Sequence, residues 1–240
     1  MIGTWINVGT VLLGGTIGLL LGSRFSERLR ETVMQGIGVV TVLIGVQMAL
    51  STNNVLIVLI SILAGGIIGT WLLVDERLNR FGQWVERKVD QMRPEGPKGE
   101  GQVRGRFAQG FITTSLLFCI GPMTFLGAIQ DGLSGDYQLL AVKSVLDGFS
   151  AIAFAASLGG GVLLSAVTVL VLQGSITLLS GFFSQILTDT VVAELTASGG
   201  IMIIMLGLVL LRLISIRVAD FLPALIITPF VVWLANLLPL

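Results

Sequence analysis

The 240-residue chain has no histidine and a single cysteine, Cys119. Lack of histidine removes the commonest zinc and copper ligand and the usual catalytic base. One thiol cannot close an intrachain disulfide, and nothing near Cys119 in sequence would activate it. Charge is scarce as well: 12% of residues are charged and 54% hydrophobic, with mean hydropathy +0.95. Soluble domains carry about a quarter charged residues, so the expected class is all-α, a polytopic transmembrane helix bundle in lipid. The basic residues flank apolar runs, which leaves no surface for nucleic acid. No phosphate-cradling loop is present. Lys143 and Ser144 are adjacent, so on a helix they point about 100° apart and cannot form a Ser–Lys dyad. The pattern predicts no enzyme and calls for no cofactor. The N-terminus lacks the basic stretch that precedes the apolar run of a cleaved signal peptide, and reads as a retained first helix.

What is abundant is long apolar sequence. A span needs about 20 largely apolar residues, and the chain offers eight: 2–22, 33–50, 55–74, 107–130, 140–158, 161–183, 198–214 and 219–239. Thirteen of the fourteen Lys and Arg residues fall after spans one, three and seven, while the alternate loops hold none. The positive-inside rule makes the basic side cytoplasmic and puts both termini outside. Lys143 is the exception. Residues 1–93 hold three spans and a segment whose Leu78, Phe81, Val85, Val89 and Met92 recur at helical spacing. That segment reads either as an amphipathic helix at the cytoplasmic interface or as a solvated continuation of span three. Residues 94–104, rich in Pro and Gly, read as a flexible linker, and 105–240 supply the last five spans of the same bundle.

Gly3, Asn7, Thr10, Gly14, Gly18 and Gly22 line one stripe of span one; Gly38, Thr41 and Gly45 do so in span two, and Ser61, Gly65 and Gly69 in span three. In lipid, small residues let helix backbones approach and gain dispersion contacts, within the chain or in a homodimer. "GTVLLGG" resembles "GGVLLSA", and "GIGVVTVLIGVQM" resembles "SGGIMIIMLGLVL". These matches pair spans 1–3 with spans 6–8 in opposite directions and point to an inverted-topology repeat.

Polar groups inside spans mark the candidate site. Pro122 frees carbonyls near Phe118, so span four is expected either to break at Gly121–Pro122 beside a wet cavity or to kink against a neighbour. Asp131 closes that span. Lys143 and Asp147 share one face of span five at i, i+4, with Ser144 beside them, as a structural pair or as a solute or proton site. Asn7 adds an amide on span one. Gln173-Gly174-Ser175 reads as a second discontinuity, and Pro223 and Pro229 as kinks in span eight.

The motifs "GTWIN" (Gly3, Thr4, Asn7), "CIGPM" (Cys119, Gly121, Pro122, Met123), "GAIQDG" (Gly127, Asp131, Gly132) and "KSVLDG" (Lys143, Ser144, Asp147) resemble the YqgA/YdfK-like family of uncharacterised bacterial inner-membrane proteins. The resemblance implies a multi-span protein of the bacterial inner membrane and brings no substrate. From the residues themselves the expected function is a transporter or channel for an ion or small polar solute, with Asp131, Lys143, Asp147, Ser144, Asn7, Gly121 and Pro122 at the site. The other reading is a non-transporting scaffold or a lipid- or partner-binding protein. The expected partners are the bilayer, the solute and a second copy of the chain.

Overall fold

The computed structural model describes residues 1–22, 26–91 and 102–237, and every regular element among them is helical. The helices are α1 (Ile2–Gly22), α2 (Glu27–Ala49), α3 (Val55–Trp71), α4 (Val74–Gln91), α5 (Gln102–Cys119), α6 (Pro122–Leu133), α7 (Gln138–Leu158), α8 (Gly161–Leu178), α9 (Ser180–Ile186), α10 (Asp189–Leu210) and α11 (Pro223–Leu237), with a single 3-10 turn at Val218–Phe221. Among the described residues, six segments are long and apolar enough to cross a membrane, the last of them joining that 3-10 turn to α11. The expected eight spans are reached only if each of two bent pairs, α3 with α4 and α5 with α6, counts as one. The outward surface is apolar, as a lipid-solvated bundle requires: Leu13, Ile67, Phe149, Val171 and Ile226 are all more than 60% exposed.

Several boundaries move. Residues 94–101 of the expected linker lie outside the described residues, and 102–104 already belong to α5. No discontinuity occurs at Gln173–Ser175, because α8 runs unbroken and Gln173 makes its bonds sideways to α1. Pro223 starts α11 instead of kinking it, at the helix position where a missing N–H costs nothing. The expected start of span seven at 198 is too late. Thr188 caps α10, its hydroxyl accepting from the Val191 N–H, so the helix begins at Asp189 and carries Glu194 inside it.

The glycine stripes explain the packing. A methyl at Gly14, Gly18 or Gly22 would overlap the backbone of Gly148, Ile152 or Ala156 in turn, so α1 and α7 run parallel in near-backbone contact. Gly38 and Gly45 meet Gly207 and Gly200, which sets α2 antiparallel to α10; Gly65 and Gly69 meet Ala224 and Asp220, which sets α3 antiparallel to α11. Asn7 lies beside Gln173 and Gly15 beside Leu163, so α1 is antiparallel to α8. The small-residue faces expected to offer a dimer surface are thus covered within the chain.

These directions define two ends. One holds Met1, the 50–54 turn, the α6–α7 turn, α9 and the finish of α11. The opposite end holds the starts of α2, α4, α5 and α11 together with Arg28, Arg77, Arg80, Arg212 and Arg217. We call the latter the arginine end. Lys143, one turn into α7, stays at the other.

Candidate functional site

Toward the Met1 end, α1, α7 and α8 present polar side chains to one another. The Lys143 ammonium pairs with the Asp147 carboxylate one turn on, and both residues are less than a tenth exposed. Lys143 therefore turns inward to its partner instead of reaching out to the interface. Asn7 Nδ2 donates to Gln173 Oε1 at 2.9 Å, and Gln173 Nε2 donates to Thr4 Oγ1 at 3.2 Å. The Thr4 and Thr177 hydroxyls lie 3.3 Å apart. Asn7 Oδ1 has no hydrogen-bond partner among the described residues. The Ser144 hydroxyl donates to the Leu140 carbonyl of its own helix at 2.6 Å. Such a network is costly to leave half-made in a low dielectric, which favours one fixed arrangement of the three helices.

Three buried acids hold helix starts. Asp131 Oδ2 accepts from the Gly3 N–H at 3.2 Å, and its Oδ1 lies 3.0 Å from the Met1 ammonium. Glu194, fully buried, accepts from Thr52 Oγ1 at 2.6 Å, the Asn53 N–H at 2.8 Å and the Asn54 N–H at 3.1 Å, at the entry to α3. Asp220 Oδ1 accepts from the Asp75 N–H at 2.9 Å, in the first turn of α4. A helix N-terminus exposes N–H groups without intrahelical partners and carries partial positive charge, so a carboxyl group from another element fits there. Asp131 and Glu194 thereby fasten the Met1 end. Neither Glu194 nor Asp220 stands out in the sequence as a helix-start acceptor. The N-cap signal of Thr188 followed by Asp189 would have placed Glu194 within a helix.

The break in span four is real. α5 stops at Cys119, α6 starts at Pro122, and the two axes are bent by 60°. The Phe118 carbonyl accepts a hydrogen bond from Thr124 Oγ1 at 3.2 Å, and the Thr124 and Phe125 N–H groups fold back onto Gly121 O. The residue that satisfies the break is therefore the threonine two positions beyond Pro122. Ile120 packs on Gly199 of α10. Phe118 and Cys119, at the end of α5, are buried in the apolar core.

At the arginine end lies a cavity of about 720 Å³. Its polar wall carries Glu31 and Gln35 from α2, Asp75 and Asn79 from α4, Gln109 from α5 and Ser157 from α7. Its apolar lining comes chiefly from Leu206, Val209 and Leu210 of α10 and from Val218, with Met34 of α2 and Ile112 of α5. Arg212 at the rim stands 3.9 Å from Glu31, and Arg217 stands 3.8 Å from Glu76. Burial raises the Asp75 carboxyl pKa above the ordinary 3.8, and the neighbouring Asp220 raises it further, against opposing effects of Arg217 and Asn79. The Ser157 hydroxyl, on a residue only 3% exposed, has no hydrogen-bond partner. None of the seven residues expected at the site lines this cavity. Sequence alone gave no route to it, because its polar residues come from four helices far apart in the chain.

Comparison with known proteins places the chain among relatives of similar length. The family described as "Protein of unknown function (DUF554)" matches residues 2–233. The "Uncharacterized protein YqgA" of Escherichia coli (strain K12) is 29% identical over 227 residues, covering 95% of this chain and 94% of that one. The "Uncharacterized membrane protein YdfK" of Bacillus subtilis (strain 168) is 27% identical over 240 residues, covering 98% and 97%. No solved structure matches.

Proposed function

The chain belongs to the DUF554 family, and on that footing we propose that it is an integral membrane transporter that moves a small polar solute by alternating access. The observation that carries this reading is the contrast between the two ends. The arginine end opens into a polar cavity of about 720 Å³, a volume typical of small-molecule sites, while Asp131, Glu194 and the Asn7–Gln173 amides fasten the opposite end. The positive-inside rule assigns the arginine end to the cytoplasm, so this is the inward-open form, with both termini outside a bacterial inner membrane. The pairs α1/α8, α2/α10 and α3/α11 run antiparallel, and in this reading they form two halves able to rock against each other. The break at Gly121–Pro122 gives the hinge between cavity and sealed end. In this reading Lys143 and Asp147 belong to the outer seal, which must part for the outward-open form.

Cysteine accessibility tests it, in a Cys119→Ala background with a membrane-impermeant thiol reagent. Ser157→Cys should react from the arginine side. Thr177→Cys, buried in the polar seal, should react more slowly and only from the other side. A scaffold protein would leave Thr177→Cys protected from both faces, and that result refutes alternating access.

A further inference from the structure

The two walls of the arginine-end cavity differ in chemistry, and the difference selects a class of ligand. Its acidic groups are Glu31 and Asp75, with Asp220 directly behind Asp75. Arg212 is the cation on the wall, and its side chain is 80% exposed at the rim and turned to Glu31. Arg217 faces Glu76. From α2, α5 and α7 come, besides Glu31, the neutral polar groups Gln35, Gln109 and Ser157 and the apolar Met34 and Ile112. Among the described residues, an anion entering here would meet Asp75, with Arg212 and Arg217 already turned to Glu31 and Glu76. A neutral, fully polar solute would waste the aliphatic wall of Leu206, Val209 and Leu210. A bare metal ion would find too few ligands, since among the described residues no three His, Cys, Asp or Glu side chains come together to hold one.

Resting on the transport reading above, we propose that this cavity binds a small organic ammonium compound with an apolar tail: the ammonium lies between Asp75 and the unpartnered Ser157 hydroxyl, and the tail lies on the α10 wall. Ser157 is the second sign, independent of the acids. Its hydroxyl is almost wholly buried, lines the cavity and bonds to nothing among the described residues. A buried polar group in that condition is stabilised when a ligand N–H or a water reaches it. An ammonium offers three donors, enough for the Asp75 carboxylate, the Ser157 oxygen and a neighbouring amide carbonyl such as that of Gln109.

Three probes sharing one skeleton separate the alternatives: 2-phenylethylammonium, 2-phenylethanol and phenylacetate, titrated into the full chain in nanodiscs. The ammonium should bind roughly tenfold or more tighter than the alcohol, as one charge-assisted hydrogen bond provides, and phenylacetate should bind most weakly. Asp75→Asn should bring the ammonium down to the level of the alcohol, and Ser157→Trp or Gln109→Trp should block both. Equal or tighter binding of phenylacetate overturns the proposal, as does an ammonium preference that survives Asp75→Asn. If ammonium and alcohol bind alike and the tryptophan variants block both, the ammonium assignment falls while the cavity stands as a binding site. If no probe binds, the ligand class is refuted, and the thiol accessibility of Ser157→Cys and Thr177→Cys judges transport separately.

Discussion

Replacing Glu194 tests whether the Met1 end is fastened as described. In the wild-type chain its carboxyl oxygens take three donors, the Thr52 hydroxyl and the Asn53 and Asn54 N–H groups, and so hold the α2–α3 turn against α10. Glu194→Ala strips all three. A buried donor left without an acceptor costs about 1–3 kcal/mol. Asn53 is exposed, however, and Thr52 and Asn54 are half-buried, so water reaches part of the turn. The Asn54 N–H also keeps Thr52 Oγ1 as an acceptor, at 3.1 Å. The net loss should therefore be nearer about 2–4 kcal/mol than the sum of three full penalties. Glu194→Gln keeps one oxygen for the two N–H groups and can donate to Thr52, so it should lose only about 1 kcal/mol. Unfolding by sodium dodecyl sulfate in mixed micelles should rank wild type, Gln, then Ala. Amide exchange at residues 55–58, the first turn of α3, should quicken in the alanine variant while the α4 start, held by Asp220, keeps its rate. An alanine variant as stable as the wild type, with unchanged exchange at α3, would refute the fastening role of Glu194.

Lys143→Met alone leaves Asp147 buried without its cation and should cost about 3–5 kcal/mol, whereas Lys143→Met with Asp147→Leu should recover most of the loss; a double-mutant cycle in the same unfolding assay measures this, and additive losses would mean the two do not act as a pair. Gly14→Ala should force α1 from the Gly148 carbonyl and destabilise the bundle, while Gly9→Ala, which meets nothing within 4 Å, should be neutral or slightly stabilising; equal effects would contradict the packing of α1 on α7. The raised Asp75 pKa gives a pH signature. Because the folded state binds the proton more tightly than the unfolded chain, the penalty for ionising Asp75 is absent below 3.8, grows as pH rises from there through the raised folded value, and is complete above it. Stability measured from pH 3.5 to 7 should therefore fall less steeply in Asp75→Asn than in wild type, and an unchanged slope would exclude Asp75 as the source.

Hydropathy alone makes this chain a membrane helix bundle, because hydrocarbon forces every backbone N–H and C=O into a helix or a closed barrel and the apolar runs have helical length. The same logic exposes the break at Gly121–Pro122 and the Lys143–Asp147 pair, since a missing N–H or a charge inside an apolar run is visible residue by residue. Glycine stripes announce close packing in the same way, though not against which helix. Partner choice belongs to the tertiary structure: Gly14 meets Gly148, Gln173 turns to Asn7, and Glu194 reaches across to the 52–54 turn. The cavity is the extreme case. Glu31, Asp75, Gln109 and Ser157 stand far apart in the chain, and they become one lining only where α2, α4, α5 and α7 converge at the arginine end. A periodic pattern records which face of a helix avoids lipid; it carries no record of what stands opposite that face, which long-range packing alone decides.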